Sequence, residues 1–148
     1  MESLRISTAA EDQDIALIHD FLSRESAWAK GIPIELVRES IRNSLNFGGF
    51  IGPAQVAYAR VITDYATFAY LVDVFVLESH RGKGYADQLM RAVLDHPRLQ
   101  GLRRFMLATS SAHGLYAKFG FTAPVRPHTL MERFNPDAYL ERRTPGAG

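Results

Sequence analysis

The residues from His80 to Ala86 combine basic side chains with two glycines, in a pattern suited to binding phosphate. A strand pattern from Thr67 to Leu77 precedes this loop, and a helical pattern from Tyr85 to Asp95 follows it. This order places several backbone N–H groups at the positive end of a helix dipole, where phosphate binds. Arg81 and Lys83 add positive charge there. The sequence therefore predicts a site for a phosphorylated cofactor or substrate.

Two common phosphate-binding motifs do not fit this loop. The Walker motif requires Lys and then Ser or Thr after its last glycine, but Gly84 is followed by Tyr85 and Ala86. The dinucleotide fingerprint requires a small residue three positions after its second glycine, where this chain has Asp87. The simplest alternative to a phosphate-binding loop is a charged turn at the start of a surface helix. The elements around the loop are needed to distinguish these two interpretations.

The elements that would position this loop form a mixed order, with hairpins first and helical crossovers later. The predicted strands lie at 4–7, from Phe50, at Gln55–Ile62, Thr67–Leu77 and Leu102–Ala108, and finally at Phe121 and Thr129–Phe134. The predicted helices lie at Asp12–Arg24, from Pro33, at 85–96, and around Leu115, Tyr116 and Phe119. Gly48 and Gly49 are expected to end the second helix. The simplest packing is an α/β mixed sheet with helices on both faces.

The bulk properties restrict the class of protein. A chain of 148 residues predicts one domain over 1–148, with a tail that frays at about 141–148. A net charge of +1 gives no broad footprint for nucleic acid, and the absence of cysteine excludes disulfides, thiolate metal sites and cysteine nucleophiles. No metal site is expected. The sequence shows neither a signal peptide nor a membrane span, so we expect a cytoplasmic protein without membrane or nucleic-acid partners.

A second motif lies downstream of the loop. Its last residues, from Leu115 to Phe121, read L-Y-A-K-F-G-F. The loop itself, Arg81–Ala86, matches R/Q-x-x-G-x-G/A. In this order and at this distance the two motifs resemble the GNAT superfamily of N-acetyltransferases, with a specific match from Leu71 to Phe121. The resemblance implies an acyl-CoA N-acyltransferase fold, in which helices cover both faces of a splayed central sheet.

The resemblance also implies acetyl-CoA as the cofactor. Its pyrophosphate would lie on the loop's backbone N–H groups, where Gly82 and Gly84 leave room. Its pantetheine arm would pair with the preceding strand, and one N–H there would polarise the thioester carbonyl. The implied cofactor-binding residues are Val74, Phe75, Val76, Arg81, Gly82, Lys83, Gly84, Tyr85 and Ala86.

Tyr116 and Asp73 are the predicted catalytic residues. The implied reaction is direct attack of an amine on acetyl-CoA, and Tyr116 matches the superfamily's usual tyrosine for stabilising the leaving thiolate. Because a free phenol has a pKa of about 10 and a thiol about 8.5, a hydrogen bond to sulfur is favoured over full proton transfer. The alternative for Tyr116 is an aromatic side chain that packs beside Leu115 and Phe119.

The general base is left open. Asp73 interrupts an apolar strand, and a buried carboxylate needs a partner. It could accept the amine proton, pair with the ammonium group, or be a structural aspartate bonded to a turn or an arginine. Glu78, His113 and water are alternatives; Glu78 also fits a solvated loop residue, and His113 a helix-end or packing residue.

The acceptor side is predicted to include Trp28, Arg60 and His113. Trp28 could stack on the acceptor or fill the core, and Arg60 could bind a substrate carboxylate or join a surface ion pair. The predicted reaction is acetyl transfer to a primary amine of a small-molecule or amino-acid-like acceptor. A protein or peptide amine, or a non-catalytic acyl-CoA sensor, is the alternative. A homodimer is possible, with the C-terminal strand and tail as candidate contact surfaces.

Overall fold

A mixed sheet forms the centre of the fold, in the order β1-β2-β3-β4-β5. The computed structural model describes residues 2–143, with side chains as far as 140. The strands are β1 (Arg5–Ser7), β2 (Leu45–Ile51), β3 (Ala54–Thr63), β4 (Phe68–Val76) and β5 (Arg104–Leu107). Neighbours from β1 to β4 are antiparallel, whereas β5 is parallel to β4. The predicted mixed α/β fold is confirmed.

Helices cover both faces of this sheet. Within residues 2–143 they are α1 (Ile15–Asp20), which continues as a π-helical turn (Phe21–Glu25), α2 (Ile34–Arg42), α3 (Tyr85–Asp95), α4 (His113–Ala117) and α5 (Ala138–Arg143). The α3-side core joins one face to α3 through Leu89, Met90 and Val93. The α1–α2 core joins the other face to Ile18 and Val37. None of the described helices is long and apolar enough to cross a membrane.

The first helix begins later than the sequence predicts. Residues Ala10–Asp12 form a separate 3-10 turn, and α1 starts at Ile15. Asp14 is its N-cap and accepts a hydrogen bond from the backbone N–H of Leu17. An aspartate at this position satisfies one N–H that has no intrahelical partner, which fixes the start of the helix.

Gly48 and Gly49 lie inside β2, so the prediction that they end the second helix is wrong. That helix already ends at Arg42. A Cβ on Gly48 would overlap Oε1 of Gln13, and one on Gly49 would lie 2.9 Å from Cδ1 of Leu4. These glycines therefore allow the amino-terminal segment to pack closely on β2.

One extra residue interrupts the regular pairing of β4. Phe75 pairs with Tyr58 of β3. Arg60 pairs with Val72, so two residues of β4 lie opposite one residue of β3. Asp73 lies within this β-bulge and has a left-handed φ of 57°, which Asp tolerates better than most residues other than glycine. Because side chains alternate along a strand, one extra residue exchanges the faces of all residues that follow.

The bulge divides β4 between the two cores. Ahead of it, Ala69 and Leu71 are buried in the α3-side core. Beyond it, Val74 and Val76 pack against that same core, while Phe75 is buried in the α1–α2 core. Without the bulge, Phe75 would lie on the face of Leu71.

β4 and β5 separate partway along their length. Their pairs run from Phe68–Arg104 to Leu71–Leu107, whereas β4 continues to Val76. Among the described residues, no strand pairs with the β5-facing edge of 72–76. The splayed sheet implied by the resemblance is confirmed.

The sheet ends at β5, so the strands predicted at Phe121 and Thr129–Phe134 are wrong for this structure. Every residue from 122 to 137 is exposed, and extended backbone without a neighbouring strand forms no ladder. Of the tail predicted to fray, 141–143 belong to α5 and 144–148 lie outside the described residues.

Candidate active site

The loop between β4 and α3 presents backbone N–H groups to open space. Gly82 and Gly84 have φ values of 78° and 79°, a conformation that favours glycine. A Cβ on either would meet no atom within 4 Å. No side chain caps α3 at Gly84, whose C=O accepts the bond from Gln88 N–H at 3.1 Å. The earlier N–H groups have no intrahelical partner and suit an anion.

The side chains of this loop have different roles. Arg81 Nε donates to the carbonyl of Val76 at 2.9 Å and holds the loop against the end of β4. Tyr85 is buried, and its hydroxyl donates to the carbonyl of Glu2, so only its backbone faces the loop. Lys83 is exposed. Lys83 is therefore the side chain most free to approach a phosphate, whereas Arg81 supports the loop.

The free edge of β4 leads directly to this loop. The N–H of Leu77 donates to the carbonyl of Val56 on β3 at 2.9 Å. Because N–H directions alternate along a strand, the N–H of Val76 points away from β3, towards the side that β5 has left. Phe75 has the opposite direction and points its N–H to β3. Val76 offers its N–H at the open edge, while its carbonyl already accepts from Arg81 Nε, and Val74 lies two residues earlier along the same edge.

Tyr116 lies in the α3-side core, on the face of β4 that also carries Val74 and Val76. It is 8% exposed, and burial raises the pKa of its phenol, so the hydroxyl keeps its proton as a hydrogen-bond donor. No described residue hydrogen-bonds with this hydroxyl, yet among residues 2–140 every enclosed side-chain polar atom has a partner. The hydroxyl therefore reaches an accessible surface.

An ion pair connects the helix of Tyr116 to the helix of the loop. Lys118, the residue after α4, contacts Asp87 in the first turn of α3 at 2.9 Å. Both side chains are partly solvated, so the pair contributes little stability. Its position keeps the start of α3 and the end of α4 adjacent.

Asp73, Arg60 and Trp28 meet on the opposite face of β4. Arg60 Nε donates to Oδ2 of Asp73 at 2.9 Å, and Trp28 Nε1 donates to Oδ1 at 2.8 Å. Arg60 also donates through Nη1 to Ser44 Oγ. The side chains of Arg60 and Asp73 are 14% and 7% exposed, so this is a largely buried ion pair. Both carboxylate oxygens of Asp73 thus accept hydrogen bonds from fixed donors.

Trp28 forms the exposed wall of this network. It is 51% exposed, and its ring lies 6.4 Å from that of Phe21, which stacks on Phe75 at 4.0 Å. The indole is therefore held at its nitrogen and open on its surface. This position fits the stacking interpretation of Trp28 and does not fit the core-filling one.

Glu78 and His113 are not brought into this network. Glu78 is exposed in a 3-10 turn after β4, and His113 is exposed at the first residue of α4. Neither side chain hydrogen-bonds with another described residue. The geometry therefore gives neither one a fixed position.

Sequence reasoning missed Tyr139. This residue of α5 packs against the α1–α2 core. Burial and the charge of Asp73 raise the pKa of Tyr139, and the charge of Arg60 opposes this effect. The C-terminal helix thus reaches the neighbourhood of the Asp73 network. The only sequence signal was an aromatic residue in a stretch to which the sequence analysis assigned no element.

The arrangement has two halves on opposite faces of β4. On the α3 side, an open strand edge, an uncapped helix start and the hydroxyl of Tyr116 can hold an extended molecule that carries phosphate. On the α1–α2 side, Trp28 and its ionic support can hold a second molecule. Two molecules held on either side of one strand suit a group transfer between them.

Comparisons with known proteins agree with this geometry. The model of the acetyltransferase (GNAT) family matches residues 15–121. A Gibberella zeae protein named "Putative acetyltransferase" is 30% identical over 135 residues, covering 76% of this chain and 75% of that protein. The crystal structure of "a putative acetyltransferase belonging to the gnat family" from Xanthomonas campestris pv. campestris has a TM-score of 0.91 and 60% identity, covering 94% of this chain and 98% of that one.

A more distant solved structure has the same fold. It is described as a "predicted acetyltransferase with acetyl-CoA" from Clostridium acetobutylicum, with a TM-score of 0.63 and 17% identity, and the match covers 90% of this chain and 96% of that one. The family match extends from α1 through the Tyr116 segment and includes the loop and the splayed strands. This chain therefore belongs to the acetyltransferase (GNAT) family.

Proposed function

We propose that this protein transfers the acetyl group of acetyl-CoA to a primary amine of a small-molecule or amino-acid-like acceptor. The observation that carries the proposal is the unpaired edge of β4, which runs from the bulge directly into the glycine loop. Such an edge binds an extended chain with amide groups, and the loop binds the phosphate at its end. Coenzyme A combines these two features in one molecule.

The residues on the α3 side fit this cofactor. The backbone N–H groups of residues 82–86 would hold the diphosphate, since the N–H of Arg81 donates to the carbonyl of Glu78. Val74 and Val76 would pair with the pantetheine arm. Phe75 contributes its side chain to the α1–α2 core and leaves the backbone contacts to its neighbours. Acetyl-CoA supplies an acetyl group activated as a thioester. Within the family, the Clostridium acetobutylicum structure described with acetyl-CoA supports the same cofactor.

Tyr116 is proposed to donate a hydrogen bond to the sulfur that leaves. Its hydroxyl is accessible and, because its pKa is raised, stays protonated at neutral pH. A protonated donor placed at developing negative charge lowers the barrier without full transfer of the proton. The buried ring, which packs edge-to-face on Phe121 at 6.1 Å, fixes the direction of the donor.

Asp73 is proposed to act by positioning other groups. Both of its oxygens already accept hydrogen bonds, which supports the structural alternative over the free base. It orients Trp28 and holds Arg60 in the wall on the acceptor side. The proton of the amine then leaves to water, since Glu78 and His113 have no fixed position. Arg60 uses its Nε and Nη1 within the protein, so we assign it to the framework of the acceptor site.

The acceptor is proposed to lie against the exposed indole of Trp28. An aromatic surface attracts both an ammonium group and the apolar part of a small amine. The buried charges of Arg60 and Asp73 nearby compensate each other, so this part of the site does not favour a polycationic acceptor. A protein or peptide amine remains the second candidate because the indole is open to solvent over half of its surface.

A calorimetric titration with acetyl-CoA tests the cofactor assignment. We expect Gly84→Asp to weaken binding by at least about tenfold, because a carboxylate at the loop repels the diphosphate. Gly52→Asp is the matched control, since Gly52 also has a positive φ, of 57°, and open surroundings, but lies in the β2–β3 turn. Equal affinities for wild type and Gly84→Asp would refute the assignment.

A panel of amines tests the reaction itself. Release of free coenzyme A can be followed with a thiol reagent, and the absence of cysteine from the chain removes any background signal from the protein. We expect thiol release with small primary amines and less with peptide amines. Tight binding of acetyl-CoA without thiol release from any amine would favour the sensor alternative.

A further inference from the structure

Part of the sheet face that carries the α1–α2 core packs in neither core. Side chains that alternate with those of the α3-side core point to this face. Towards the end of β4, Tyr58 and Phe75 on this face are buried in the α1–α2 core. Five described apolar residues further along the same face belong to neither core. We call them the apolar floor: Ile62, Phe68, Tyr70, Val72 and Met106.

Strand pairing arranges the apolar floor in rows. From the bulge outward, the three rows are Arg60–Val72, Ile62–Tyr70–Met106 and Phe68–Arg104. Because two residues of a strand span about 7 Å, the rows extend over about 13 Å. Ile62 is 44% exposed and Phe68 38%, and the other three floor residues are half-buried. A continuous apolar surface of this kind marks a binding site.

The apolar floor begins where the two halves of the proposed site meet. β4 and β5 separate after the pair Leu71–Leu107, and the floor crosses both strands up to that point. Its first row includes Arg60, which donates to Asp73, and Asp73 also accepts from the indole of Trp28. An acceptor whose amine lies at the bulge therefore has the floor beneath the rest of its body.

The charges along the apolar floor do not suit a second cation. The three rows, all within residues 60–106, contain no acidic side chain. Arg60 is compensated by Asp73, and Arg104 is exposed at the far end. A second ammonium group would approach Arg104 without a counter-charge, whereas a hydrocarbon chain would be removed from water.

We propose that the acceptor is a primary amine with an extended apolar body, an alkyl or arylalkyl chain, which lies along the apolar floor with its amine at the bulge. This inference rests on the proposed function and names the class of its acceptor. A fully buried methylene group strengthens binding about fourfold. Because the floor covers only one side of the chain, we expect about half of that free energy, or about twofold per methylene.

A series of amines of increasing length tests the inference. We expect kcat/KM to rise about twofold per methylene from ethylamine to hexylamine. The amino alcohol in which a hydroxyl replaces the terminal methyl group of hexylamine should lose this gain. Turnover that does not depend on chain length would overturn the inference and leave the proposed function intact. No turnover of any amine would overturn both.

A substitution in the apolar floor tests where the chain lies. Ile62→Thr keeps the branched Cβ but removes apolar surface, and it should lower kcat/KM about threefold more for hexylamine than for ethylamine. Val125→Thr is the matched control, because Val125 is 95% exposed and lies outside the floor. The ratio of the two kcat/KM values does not depend on the amount of folded protein. An unchanged ratio in Ile62→Thr would overturn the inference.

The other occupant to test is a second copy of this chain. If a second copy covered the apolar floor, light scattering would give a dimer for wild type and a monomer for Ile62→Lys. That result would overturn the inference. We expect the same oligomeric state for both proteins, which leaves the floor open to the acceptor.

Discussion

The two faces of β4 offer different kinds of contact to a ligand. The α3 side relies on backbone groups at a strand edge and a helix start, with glycines that leave the space in front of them open. The α1–α2 side relies on side chains that hydrogen-bond to one another, with Asp73 at the centre. The first arrangement suits a cofactor with a constant shape. The second can change its specificity through single substitutions.

This difference leads to a distinct response to mutation on each side. Substitutions on the α3 side should change binding or rate with little loss of stability, since few internal contacts depend on them. Substitutions in the Asp73 network should cost stability as well, because each side chain satisfies another buried group.

The largest effect is expected from Tyr116→Phe. Loss of the hydroxyl should lower turnover by roughly 10²–10⁴ while acetyl-CoA affinity stays unchanged, because only the donor to the leaving sulfur is removed. Steady-state kinetics together with calorimetry measure the two quantities separately. An unchanged kcat would exclude the proposed role and leave Tyr116 as a packing residue.

Asp73→Ala should destabilise the fold by about 3–5 kcal/mol, because it leaves the buried guanidinium of Arg60 without its counter-charge. Urea unfolding measures this loss. Asp87→Ala is the matched control, since it breaks the solvated pair with Lys118 and should cost only about 0.2–1 kcal/mol. Equal losses of unfolding free energy in Asp73→Ala and Asp87→Ala would contradict the expected difference in stability between the two sides of β4.

Of the two substrates, Trp28→Phe should affect only the acceptor. Phenylalanine keeps an aromatic surface but loses the bond to Asp73, so we expect the KM for the amine to rise about fivefold, equivalent to roughly 1 kcal/mol. The KM for acetyl-CoA, measured in the same assay, should stay the same. A rise in the cofactor KM instead would place Trp28 on the other side of the site.

The smallest effect concerns pH. The folded-state pKa of Tyr116 is raised by burial, so its contribution to stability is present below the unfolded pKa of about 10 and is lost as pH rises above that value. Between about pH 8 and pH 11, wild type should therefore lose more stability than Tyr116→Phe, by at most about 1.4 kcal/mol per pH unit. Parallel urea titrations of both proteins test this, and identical slopes would contradict it.

The sequence predicted the α3 side well because its signals are local. The apolar run of β4, the glycines at 82 and 84, and the spacing of Leu89, Met90 and Val93 lie within one continuous segment. The family model confirms the resemblance that these residues suggested. The roles of the individual residues, Tyr116 included, stay predictions that the experiments above address.

The α1–α2 side could not be predicted because it depends on contacts between distant residues. Trp28 and Asp73 are 45 positions apart, and nothing local shows that one donates to the other. The bulge at Asp73 is equally invisible, since Phe68–Val76 is an unbroken strand pattern apart from one aspartate. The strand predicted at Thr129–Phe134 failed for the same reason, because a strand requires a neighbour that the local pattern does not identify.

Because of the bulge in β4, odd-numbered residues before it and even-numbered residues after it face the same core. Regular pairing of the same residues, without the bulge, would send Val74 and Val76 to the helices that now receive Phe75. No gradual series of side-chain changes connects those two arrangements. The extra residue at this point of the strand is consequently what holds the register, and a chain that paired the same residues without the bulge would have to rebuild both interiors together.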